Sequence, residues 1–171
     1  MESPSAIPAD DVVTVLTEQH RRLEHLLQTL LEAEADAERG ELLARAGDEL
    51  AVHMLAEEKV VYPRVHANRT EDILLESLEE HLSLKRLLAD LLALAPGDTT
   101  FQPKCKVLEE QARHHHKEEE EHLFPKMRQL LDADARGQMG RAVRQHEEGM
   151  RARGAPRERM GAQTDAAAPL P

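Results

Sequence analysis

The chain of 171 residues is long enough to bury a core unaided, and its single Cys105 cannot form an internal disulfide. Aromatic residues make up only 2% and Leu, Ala, Glu and Arg dominate, which favours helix over sheet and excludes a β-rich fold. A net charge of −11 tells against nucleic acid as the main partner, and no apolar run reaches the roughly 18 residues that span a bilayer or resembles a secretory signal, so a reduced, cytoplasmic setting away from membrane is expected.

Residues 1–9 hold two prolines and no periodic apolar pattern, so they read as a flexible arm, with Asp10 or Asp11 near the first helix cap. The first helix is expected to run to Arg39 and stop at Gly40. The second spans Glu41 to Ala67, with Pro63 kinking its last turns. The third runs from Glu71 to Ala95, where Pro96 and Gly97 oppose continuation, and the fourth from Pro103, suited to a first turn, to Leu131. A shorter helix follows within 132–153, and residues 154–171 read as a disordered tail. Between Arg136 and Met160 seven arginines face only Glu147, Glu148 and Glu158. This basic segment, 136–160, is expected to lie on the acidic body of the protein, with docking of a protein partner as the alternative.

An internal repeat organises residues 10–131. "TEQHRRLEHLLQTLL" (17–31) aligns with "LEEHLSLKRLLADLL" (78–92), setting His20 on His81. At an offset of 62, His53, Glu57 and Pro63 fall on His115, Glu119 and Pro125. Two equivalent helical hairpins predict an all-α, up-down-up-down four-helix bundle with a short additional C-terminal helix.

At about 100° per residue the buried stripe of each helix can be tested. Leu16, Leu23, Leu27 and Leu31 surround His20, whereas His25 lies about 140° from it. Leu42, Ala46, Leu50, Ala56 and Val60 bracket His53 and Glu57, while Glu58 is expected to turn outward. Leu74, Leu78, Leu84, Leu88 and Leu92 centre on His81; Leu108, Ala112, Leu123 and Leu130 surround His115 and Glu119. In the dense run "RHHHKEEEEHLFPKM" (113–127), therefore, His115 and Glu119 point inward, and His114, His116 and Glu120 are expected at the surface. Tyr62 falls about 180° from His53, away from the site unless Pro63 reorients it.

Four imidazoles and two carboxylates converging in a leucine bundle are costly unless paired or bound to metal. His and Glu together suit iron and other first-row metals. In His-x-x-x-Glu the two side chains stack on one face about 6 Å apart. One can then take a terminal position while the other bridges. The expectation is a two-metal centre with terminal His20, His53, His81 and His115, bridging Glu57 and Glu119, and open positions for an oxo or hydroxo bridge and a small ligand. His122, two turns beyond His115 and about 10 Å along the axis, is read as an access-channel base that could shuttle protons, or else as a polar residue of the bundle end. Lys85, one turn after His81, either reaches the site or snorkels outward.

The order His20, His53-x-x-x-Glu57, His81, His115-x-x-x-Glu119, with Tyr62-Pro63 and Phe124-Pro125 after each pair, resembles the hemerythrin-like HHE cation-binding family in its bacterial branch. Oxygen-carrying invertebrate hemerythrins place two histidines one turn apart on the third helix, where this chain has Lys85, so simple oxygen carriage is not implied. Ferritin-like carboxylate proteins want two Glu-x-x-His pairs. This chain has only Glu119-x-x-His122, whose repeat mate of the His is Val60. The resemblance implies a non-heme di-iron centre held by the same six residues. It implies handling of hydrogen peroxide or a related small oxidant, catalase-like or linked to oxidative and nitrosative stress. A binding module sensing oxygen, nitric oxide or iron without turnover is the alternative.

Overall fold

Asp11 starts the first helix: its Oδ1 accepts from the Val13 amide at 2.9 Å, satisfying one of the free donors of the opening turn of α1 (Val12–Glu32). The structure, a computed structural model, describes residues 9–171. All of the arm expected at 1–9 except Ala9 thus lies outside the described residues.

The chain turns at 33–35 instead of at Gly40. Ala33 and Ala35 are extended, and the Ala33 carbonyl accepts from Arg39 Nε at 3.0 Å. Gly40 therefore falls inside α2 (Asp36–Ala56). With neither Gly nor Pro at this turn, composition does not announce it.

α2 runs on through a π-helical turn, Glu57–Val61, into α3 (Tyr62–Val65). After α4 (Glu71–Leu92), the second hairpin repeats the device: α5 (Phe101–Glu118), a π turn at Glu119–Leu123, then α6 (Phe124–Leu130). The Tyr62 amide reaches back five residues to the Glu57 carbonyl, and the Phe124 amide does the same to Glu119. Pro63 and Pro125 explain the widening, since each lacks an N–H and its ring would clash with the carbonyl four residues earlier. One extra residue in the turn sets everything after it back by about 100°.

α1 packs on α2 and α5, and α4 packs on α5 and α2, closing a ring of four helices; no strand occurs among the described residues. α7 (Ala133–Ala152), capped by Asp132, lies across α1 and α2, and a 3-10 helix (Pro156–Gln163) lies across α2 and α4. α2 is thereby enclosed on its outer side as well, so Leu50, Ala51, Val52, His53, Met54, Leu55 and Ala56 are all buried. The chain leaves α7 through Gly154 at φ 79°, a left-handed conformation that glycine adopts without steric cost.

The segment 154–171, expected to be disordered, is ordered on the bundle. Met160 is wholly buried in the core, the Arg157 guanidinium and amide bond Asp48 at 2.8 and 3.0 Å, and Arg86 donates to the carbonyls of Thr164 and Asp165. Composition averages over a segment, and here one methionine and one arginine anchor it. Two further arginines of the basic segment are engaged in the same way, Arg136 with Asp11 and Arg151 with Glu49, both at 2.7 Å.

The apolar interior is split in two. One cluster holds Val12, Leu16, Val60, Leu74, Leu78, Leu123 and Met127; the other holds Leu23, Leu27, Leu50, Leu84, Leu88, Phe101 and Leu108. Along α1 and α4 the change from one cluster to the other falls at His20 and His81, in the α5 arm across His115 to Glu119, and in α2 at Leu55–Ala56 just before Glu57, so the polar residues form a layer between two apolar plugs.

Candidate metal centre

His20, His53, His81, His115, Glu57 and Glu119 each expose no more than 2% of their surface, and all six meet in this layer. One nitrogen or oxygen from each of His20, His53, Glu57 and Glu119 lies within 4.8 Å of the others, as do those of Glu57, His81 and His115. Glu57 belongs to both groups. Its Oε1 is 3.2 Å from His53 Nε2 and its Oε2 is 3.1 Å from His81 Nε2, so one carboxylate faces two adjoining lobes. Glu119 Oε2 sits 3.3 Å from His20 Nε2 and 3.8 Å from His115 Nε2.

The outer face of each ring is fixed. His20 Nδ1 faces Glu120 Oε1 at 2.8 Å, His53 Nδ1 faces Gln19 Oε1 at 2.7 Å, His81 Nδ1 faces Glu58 Oε1 at 2.9 Å, and His115 Nδ1 faces Glu80 Oε2 at 2.6 Å. An acceptor at Nδ1 holds the proton there and turns Nε2 inward as a lone-pair donor, as second partners of metal-bound histidines do. The inward atoms are correspondingly short of partners: His20 Nε2, His53 Nε2, His116 Nε2, Glu57 Oε1 and Glu119 Oε2 are buried without a hydrogen bond. The short separations of His20 from Glu119 and of His53 from Glu57 are misaligned for one. A buried polar atom left unpaired costs about 1–3 kcal/mol, so five of them around one point are the mark of a donor set built for a cation. Mixed imidazole and carboxylate donors fit a first-row metal such as iron.

The carboxylates and imidazoles of the cluster set one another's protonation. Burial lowers the His115 pKa, but the charges of Glu119 and Glu57 and the bond to Glu80 overcome this and leave it well above the usual histidine range. His20 and His81 are raised in the same manner, against burial, by Glu119 with Glu120 and by Glu57 with Glu58. His53 is held well below its usual value by burial and by neighbouring imidazolium charge. Burial alone would raise Glu119, yet His115 and His20 keep it ionised, well below the usual carboxylate range.

Several placements differ from the sequence reading. Tyr62, expected to face away, points into the layer because the π turn at Glu57–Val61 rotates it: its hydroxyl donates to Glu119 Oε1 at 2.6 Å and lies 3.2 Å from Glu57 Oε2 and 3.3 Å from His81 Nε2. Burial and the two carboxylates raise its pKa well above 10, keeping the proton on Oη. The second π turn moves His122 the opposite way: it is exposed beside Glu118 at 3.5 Å, so the access-channel role is corrected to that of a surface residue. Glu58, expected outward, is buried between α2 and α4, where Lys85, itself buried, reaches it at 2.7 Å. Glu120 is half-buried on His20 rather than facing solvent. His116, expected at the surface, is fully buried because α5 packs α1 and α4 at once, which makes its inward stripe wider than one residue. His114 and His25 are exposed as expected.

An all-helical bundle with a buried layer of imidazoles and carboxylates defines a metal-binding helical protein. Over residues 11–111, and again over 78–164, the chain matches the hemerythrin HHE cation binding domain, and it belongs to that family. The second match opens at Leu78, the first residue of the segment that repeats 17–31. A DNA nickase of Nostoc sp. is 26% identical over 124 residues, which cover 72% of this chain. The match spans only 35% of that protein's own length. No solved structure matches.

Proposed function

We propose that the layer holds two iron ions and that the protein handles hydrogen peroxide or a related small oxidant. The observations that carry this reading are the buried, unpartnered Nε2 atoms of His20 and His53 with Glu57 Oε1 and Glu119 Oε2, the His81 and His115 Nε2 atoms turned toward each other at 3.0 Å beside them, and the acceptor that fixes each of the four rings from outside. His20 and His53 would hold one ion, His81 and His115 the other. Glu57, with one oxygen toward each pair, and Glu119, set between His20 and His115, would bridge. Bound iron supplies Lewis-acid and redox chemistry at its open positions.

The residues around it supply the rest. The apolar plugs on either side exclude water from the layer. Tyr62 Oη holds the one hydroxyl proton given to the bridging carboxylates and orients Glu119 with it. The acceptors Glu58, Glu80, Glu120 and Gln19 keep every Nε2 directed inward. Nicking of DNA is not part of this proposal: the chain carries −11 net charge and Arg136, Arg151 and Arg157 are paired with its own carboxylates, whereas a DNA surface needs free cations for phosphate.

The test is oxygen release from peroxide by the iron-loaded chain. Turnover that disappears in both His53→Ala and His115→Ala supports the proposal. Stoichiometric binding of oxygen or nitric oxide without turnover replaces it with the sensing role.

A further inference from the structure

His116 has no place in the six-residue pattern, yet it carries every feature of the histidines that do. Its Nε2 is buried and unpartnered. One of its ring nitrogens lies with donor atoms of His20 and His53 in a group no wider than 4.8 Å. The His116 ring stacks on His20 with centroids 4.0 Å apart and planes 8° apart, and meets His53 edge-on at 5.6 Å. Its Nδ1 faces Glu24 Oε1 at 3.4 Å, as His20 Nδ1 faces Glu120. Both of those carboxylates are held by the two ends of one guanidinium, Arg21, at 2.6 Å to Glu24 and 2.5 Å to Glu120. A single arginine thus sets the outer partners of two parallel rings. A histidine that only filled space would gain from a partner on each nitrogen, and an apolar residue would fill the space at less cost.

We infer that His116 is a fifth imidazole ligand, supplying Nε2 to the ion on the His20 and His53 side; the assignment rests on the metal-binding reading above. It makes the centre unequal, with three imidazoles on that side and only His81 and His115 on the other. The position one turn beyond His81 offers no further imidazole, because Lys85 stands there and is drawn aside to the buried Glu58. An incoming small ligand therefore has more room on the His81 and His115 side. There the Tyr62 hydroxyl lies 3.3 Å from His81 Nε2 and is ready to meet it.

The count of imidazoles can be read in the unaltered protein. An imidazole bound through Nε2 keeps its Nδ1–H, which in the cobalt(II)-loaded chain gives a paramagnetically shifted proton signal that disappears in deuterium oxide. Five such signals are expected in the wild type, from His20, His53, His81, His115 and His116. In His116→Gln four should remain and affinity for the first ion should fall by at least about 10-fold; His114→Gln, altering the exposed neighbour, should keep five. Four signals in the wild type with cobalt bound overturn the role of His116 and leave the metal-binding reading intact. A wild type that binds no cobalt overturns both. Because the wild-type spectrum decides, the result does not depend on the variant folding.

Discussion

Replacing Tyr62 with phenylalanine removes one oxygen from the centre of the bundle and little else. The ring is 1% exposed and packs in the apolar cluster with Leu74 and Leu78, contacts that phenylalanine preserves. The loss is the bond from Oη to Glu119 Oε1, 2.6 Å long and wholly buried, whose acceptor His115 and His20 keep ionised. A hydrogen bond to a charged group contributes about 1.5–3 kcal/mol, and here the carboxylate oxygen is left without a donor. For a chain of this size each kcal/mol moves the melting temperature by about 2–4 °C, so metal-free Tyr62→Phe should melt roughly 3–12 °C below the wild type. Calorimetry gives the shift, and urea unfolding should show a lower midpoint with an unchanged slope. A melting temperature within about 1 °C of the wild type would refute the placement of Tyr62 by the π turn, because an outward hydroxyl has nothing to lose.

Lys85→Met leaves the buried Glu58 with His81 as its remaining partner, and removing one side of a buried pair should cost about 1–3 kcal/mol in urea unfolding; a cost near zero would show Lys85 to be exposed. Glu147 on α7, pushed up to about 7 by burial despite the bond it accepts from Gln19, carries a proton in the folded protein that the unfolded chain has already lost above its ordinary 4.5. Wild-type stability contributed by this group is therefore full below pH 4.5 and is lost as pH rises toward 7, and Glu147→Gln, which can still accept from Gln19, should flatten that slope in calorimetry at pH 5 and pH 8. An unchanged slope would place the titration elsewhere.

The repeat was the part of the architecture most legible in the sequence, because the positions equivalent in two hairpins must occupy the same layer. His20 with His81, and His53-x-x-x-Glu57 with His115-x-x-x-Glu119, could be found by register alone, and the structure brings all six to one point. What could not be read follows from two departures from a regular, one-faced helix. The π turns before Pro63 and Pro125 broke the 100° arithmetic, which hid Tyr62 and placed His122 wrongly. The prolines, recurring at one offset after each Glu, were the available signal. The wide buried surfaces of α2 and α5 defeated the narrow stripe, hiding Glu58 and His116; the run "AVHMLA" before Glu57, apolar apart from one histidine, already showed that α2 has no polar side there. The turn at 33–35 left no mark, since two alanines in extended conformation differ in nothing but geometry from alanines in a helix.

In the proposed centre Glu57, standing between two lobes, would be shared by a pair of cations. Native mass spectrometry of the wild-type chain reconstituted with iron(II) counts them directly. Two ions per chain, falling when Glu57→Gln removes the shared carboxylate, is the expected spectrum; a chain that carries one ion, or none, under saturating iron contradicts it.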